Sequence, residues 1–184
     1  YFSKREICLW ITSMAFIIVS FLIYDRENYL TLTASVIGVT SLIFNAKGNP
    51  IGQVLMVVFS ILYGIISYSY RYYGEMITYL GMTAPMAVIA LIAWLRHPYK
   101  GNRSQVRIHY IRSREVYIMT GLTIIVTAAF YFILKALGTE NLMLSTLSVT
   151  TSFVAVYLTF LRNEYFALAY AANDIVLIAL WILA

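Results

Sequence analysis

A chain of 184 residues in which 61% are hydrophobic and 11% charged, with a net charge of +5 and a mean hydropathy of +0.79, lacks the polar surface of a water-soluble domain. Its apolar side chains must find their solvent in a bilayer. The one cysteine, Cys8, excludes an internal disulfide and a thiolate metal centre.

In chain order, the sequence opens on Tyr1-Phe2-Ser3-Lys4-Arg5-Glu6 rather than on Met, and its last apolar run reaches Ala184, so it reads as an excerpt of a longer protein. The basic start followed by an apolar run resembles a signal peptide, but no small-residue cleavage site follows Ile23, and a first transmembrane helix is expected. Seven apolar spans are predicted, at roughly 7–24, 29–44, 51–70, 76–95, 116–137, 142–161 and 165–184. Most have the length of about 17–25 residues that a crossing helix needs. Runs such as Met86-Ala87-Val88-Ile89-Ala90 do not alternate apolar with polar, which excludes a β-barrel. The predicted fold is therefore all-α, a polytopic membrane helix bundle forming a single transmembrane domain over residues 1–184.

Short connections rich in Asp, Asn, Gly and Pro fall at 25–28, 45–50, 138–141 and 162–164. A longer one, 96–115, carries Arg96, Lys100, Arg103, Arg107, Arg112 and Arg114 against Glu115 alone. The positive-inside rule makes this loop cytoplasmic. Alternation then puts Lys4, Arg5, Lys47 and Arg162 on the same side and leaves Arg26, Arg71 and Lys135 outside, with the N-terminus cytoplasmic. His97 and His109 have no ligand partner at helical spacing, and no aromatic interleaving suits nucleic acid, so neither a metal nor a nucleic-acid partner is expected. The loop is read as a topology determinant in contact with anionic lipid. The sixteen tyrosines read mostly as interfacial belts.

Polar residues at mid-depth are the candidates for function. Asn173 and Asp174 sit near the middle of the last span, where an ionised carboxylate costs about 2.5–3.5 kcal/mol. Phe166, Ala169, Tyr170, Asn173 and Leu177 recur at helical spacing on that span and suggest a pocket wall. Ser60, Tyr63 and Ser67, with Gln53 one heptad before Ser60, form a second stripe on span 51–70. The hydroxyls at Ser145, Thr146, Ser148, Thr150, Thr151 and Ser152 read as close helix packing. No hydrolase, zinc-protease or phosphate-loop motif appears, so neither an enzyme nor a cofactor is expected.

Tyr73-Gly74-Glu75-Met76, then Pro85 and Trp94 in the same span, then the basic loop, resemble the PnuC vitamin transporters. That family has an acid followed by Trp-x-x-Trp-x-x-x-Asn/Asp in its second repeat. Here Glu164 leads into Phe166, Ala169 and Asn173 at the same spacing. Phe166 replaces the first Trp conservatively; Ala169 departs from the second, with Tyr165 and Tyr170 as neighbouring substitutes. The resemblance implies a 3+1+3 core of two parallel three-helix repeats, preceded here by one extra helix and completed by a span after Ala184. It further implies a homotrimer in a bacterial plasma membrane that takes up nicotinamide riboside by facilitated diffusion, with cytoplasmic phosphorylation as the trap. The substrate-binding residues expected are Asn173, Phe166, Tyr170, Asp174, Tyr63, Ser60 and Gln53. The alternatives are the same fold carrying thiamine, riboflavin or a deoxynucleoside, or a membrane interaction or sensor subunit that transports nothing.

Overall fold

The computed structural model describes residues 2–24, 26–139 and 141–183. Asp25 and Glu140, expected in turns, and Ala184, expected to end the last span, lie outside them.

All seven apolar runs are helical. They form α1 (Lys4–Tyr24), α2 (Tyr29–Ala46), α3 (Ile51–Ser69), a bent span made of α4 (Tyr73–Thr78) and α5 (Ala84–Arg96), then α6 (Ser113–Ala136), α7 (Leu142–Phe160) and α8 (Phe166–Leu183). Among the described residues, six of these spans are long and apolar enough to cross a bilayer, and α8 adds a seventh apolar helix. The chain is a helical membrane bundle.

The connections follow from local chemistry. Asn28 caps α2 by accepting the Thr31 amide at 3.1 Å. Four inter-helix turns then share one closure. After α2, α3, α6 and α7 the chain passes through a left-handed residue, namely Gly48, Arg71, Gly138 and Arg162. The next amide reaches back five residues, as Asn49 to Phe44, Tyr72 to Ser67, Thr139 to Leu134 and Asn163 to Leu158, at 2.8–3.1 Å. This double closure satisfies carbonyls that a helix end leaves open and turns the chain sharply. Asn49 and Asn163 each then accept an amide two residues on, at 2.9 and 3.0 Å, starting α3 and α8 in the same way.

Two features of the fold lie outside the sequence reading. Residues 79–83 form a π-helical turn inside the span expected at 76–95, and that span begins three residues earlier, at Tyr73. The basic loop is also partly ordered as a hairpin of β1 (Pro98–Tyr99) and β2 (Asn102–Val106). Its tip places both Lys100 and Gly101 at positive φ, the geometry that matches a two-residue turn to strand twist. The hairpin is pinned to the bundle by backbone bonds from Val106 to Gly48 (2.8 Å) and from His109 to Arg162 (3.1 Å).

The core lies around α7, half of whose most apolar window is buried, whereas the windows of α1 and α6 bury nothing. Met82, Leu134, Val149 and Phe153 form its centre. Trp94, 1% exposed, donates its indole N–H to the Thr159 carbonyl at 2.8 Å and locks α5 onto α7. α2 and α3 meet backbone to backbone at Gly52, where a Cβ would overlap Asn45. Lys47 and Glu6 pair at 2.8 Å, placing the start of α1 beside the α2–α3 turn. This contact and the hairpin gather Lys4, Arg5, Lys47, Arg162 and the basic loop at one end of the bundle, with Arg26, Arg71 and Lys135 at the other.

Candidate functional site: a mid-bundle cavity

A cavity of about 680 Å³ opens between α2, α3, the π-helical turn, α7 and α8, within the size range of small-molecule sites. One wall is aromatic. Phe59 and Tyr63 stand one helical turn apart on α3 with ring centroids 5.6 Å apart, and Tyr79 from the π-helical turn lies 4.4 Å from Tyr63 and 6.0 Å from Phe59. Tyr170 of α8 also lines the space.

The polar groups sit on the α8 side. Asn173 is 4% exposed, and its Oδ1 accepts from Thr151 Oγ1 at 2.8 Å and Ser152 Oγ at 3.0 Å. With the oxygen held by two α7 hydroxyls, the Nδ2 amide makes no hydrogen bond among the described residues, and Asn173 lines the cavity. Asp174 is exposed and borders the same space. No Lys, Arg or His is among the lining residues. Four aromatic rings, one amide and one carboxylate therefore face a space without fixed positive charge. Such a lining suits a flat ring that is neutral or cationic and opposes a phosphate.

Of the seven residues singled out in the sequence, Tyr63, Tyr170, Asn173 and Asp174 come together here. Phe166 faces a neighbouring cavity of about 370 Å³ on the α1 side of α8, shared with Trp10, and touches Tyr170 edge-on at 6.4 Å. Gln53 and Ser60 do not line the cavity. Gln53, 2% exposed, donates from Nε2 to Asn45 Oδ1 at 2.9 Å in a chain that continues through Ser41 Oγ to the Gly52 carbonyl. Ser60, fully buried, donates to the Met56 carbonyl of its own helix at 2.8 Å. Ala169 is half-buried and stays off the wall. Sequence reasoning missed Phe59 and Tyr79. Phe59 carried a legible signal, since it lies four residues before Tyr63 on the same helix face. Tyr79 did not, because the π-helical turn shifts its direction. Among the described residues no group of three or more His, Cys, Asp or Glu could hold a metal ion.

Comparison with known proteins gives the same kind of molecule. The solved structure titled the vitamin B3 transporter PnuC shares the fold with a TM-score of 0.84 at 22% identity, covering 99% of this chain and 78% of that one. The curated nicotinamide riboside transporter PnuC of Neisseria mucosa is 26% identical over 166 residues, covering 88% of this chain. This chain spans 63% of that relative's length. The family model described as nicotinamide mononucleotide transporter matches residues 28–184, which takes in everything from the cap of α2 onward. On that match, the chain belongs to the nicotinamide mononucleotide transporter family.

Proposed function

We propose that the protein takes up nicotinamide riboside, binding it in the mid-bundle cavity, and that the substrate is the nucleoside rather than its 5′-phosphate. The observation that carries this reading is the lining: aromatic rings, the Asn173 amide and the Asp174 carboxylate, with no cationic side chain among them. The nicotinamide ring of the riboside is cationic and flat. It suits the faces of Phe59, Tyr63 and Tyr79, at about 0.5–2 kcal/mol per cation–π contact. Asn173 donates to the carboxamide oxygen or to a ribose hydroxyl, and Asp174 accepts from the sugar. A phosphate placed here would meet a carboxylate and no donor cation, adding repulsion to desolvation.

Transport is facilitated diffusion in a bacterial plasma membrane, drawn inward by a cytoplasmic kinase whose product no longer fits the site. The basic end is cytoplasmic, by the excess of Lys and Arg there. The single domain is built of two parallel repeats, with α2–α3 corresponding to α7–α8. The matching turns at Gly48-Asn49 and Arg162-Asn163 support this correspondence. Assembly is trimeric by family likeness.

The test is uptake and binding with the purified protein. In proteoliposomes without ATP, labelled riboside should equilibrate across the membrane. Calorimetry in detergent should give an affinity for the riboside at least about tenfold above that for the mononucleotide, about 1.4 kcal/mol. Equal affinities would overturn both the substrate and the site.

A further inference from the structure

A second cavity, of about 360 Å³, opens at the end of the bundle opposite the basic hairpin. Glu75 lines it and is 7% exposed. Neither of its oxygens accepts a hydrogen bond among the described residues, and Oε2 is buried without any partner. Arg71 borders the same cavity with its side chain exposed and forms no ion pair with Glu75. A buried carboxylate without a donor is costly inside a membrane bundle, and such residues mark substrate or ion paths. Three tyrosines stand in the wall beside it: Tyr70 and Tyr72 stack with centroids 6.4 Å apart, and Tyr73 follows them. Carboxylate and phenol rings together are the chemistry that holds a flat organic cation.

The two cavities share their helices. Glu75 stands one turn before Tyr79, which lines the mid-bundle cavity; on α7, Ser145 lines the second cavity and Ser152 the first, two turns or about 10 Å away. We propose that the Glu75 cavity is an entry subsite that captures the cationic pyridinium ring of the substrate before it moves to the Asn173 cavity. The subsite rests on the riboside reading above, and it gives that reading a preference for charge at the outer end. Glu75 is the counter-ion, and the tyrosines supply the faces.

The test uses two probes without ribose: 1-methylnicotinamide, a pyridinium cation, and nicotinamide, its uncharged analogue. Each is titrated against the purified protein and the variants Glu75→Gln, Asp174→Asn and Tyr73→Leu. The wild type should prefer the cation at least tenfold. Glu75→Gln should abolish that preference, Asp174→Asn should keep it, and Tyr73→Leu should reduce it about threefold while leaving nicotinamide unchanged. Retention of the full preference in Glu75→Gln, or its loss in Asp174→Asn instead, overturns the subsite. Should Glu75→Gln fail to fold, an unchanged preference in Tyr73→Leu overturns it equally. A wild type that prefers the cation but does not transport the riboside leaves the subsite standing and removes the substrate assignment. One that transports the riboside with no preference between the two probes does the reverse.

Discussion

Helices α3 and α8 both carry a polar stripe through the membrane, yet they use it differently. On α3 the two polar groups Gln53 and Ser60 are spent on packing, while Tyr63 of the same stripe lines the cavity. Gln53 closes a side-chain chain with Asn45 and Ser41, and Ser60 bonds its own helix. On α8 the single amide of Asn173 is divided, its oxygen bonded to α7 and its nitrogen unbonded among the described residues, and the residue lines the cavity. Polarity at mid-depth therefore does not by itself mark a binding site. What sets Asn173 apart from Gln53 and Ser60 is that it borders a cavity.

The sharpest way to break that contrast is to disturb α3 and watch binding. Gly52→Ala should have the largest effect, because the new Cβ meets Asn45 and its backbone rather than a flexible tip. A loss of about 2–4 kcal/mol is expected from overpacking and the broken Gln53–Asn45 bond. It would be measured as denaturant or thermal stability in detergent. Gln53→Ala leaves a buried amide oxygen of Asn45 with its donor gone and should cost about 1–3 kcal/mol of stability. Its riboside affinity should be unchanged by calorimetry. A weakened affinity there would erase the distinction between the two helices.

Asn173→Ala should show the opposite signature, losing about 0.5–1.5 kcal/mol of riboside binding with a smaller change in melting temperature. Ser152→Ala removes one of its two anchors and should lower affinity less than Asn173→Ala does. The smallest effect is expected at Gly121→Ala on α6. There the new Cβ meets nothing within 4 Å, so stability should change by less than about 1 kcal/mol.

The number and order of the helices were legible because a bilayer imposes a single length and composition on each crossing. The mid-depth position of Asn173 and Asp174 was legible for the same reason, since a polar group there stands out against its surroundings. The fates of Gln53 and Ser60 were not, because the partner of a polar side chain lies on another helix or one turn back and leaves no periodic trace. Tyr79 was hidden for a different reason. Helical spacing assumes 3.6 residues per turn, and the turn that carries Tyr79 departs from it.

That departure can be read as an arithmetic of rotation. The buried face of the Tyr73–Arg96 span passes through Glu75, Thr78, Thr83, Ala87, Ala90 and Trp94. The steps are of three or four residues except for the five between Thr78 and Thr83, where the Thr83 hydroxyl reaches back to the Thr78 carbonyl at 3.3 Å. On an unbroken α-helix Glu75 and Trp94 would stand about 100° apart, since a whole number of turns falls one residue short of their separation. The extra residue cancels that offset, so one face holds both the indole that fastens the span to α7 and the unpaired carboxylate. A single-codon deletion between 79 and 83 would thus act on the gene as a trim but on the protein as a twist. With Trp94 fixed, it would swing Glu75 by about 100° away from the cavity it lines.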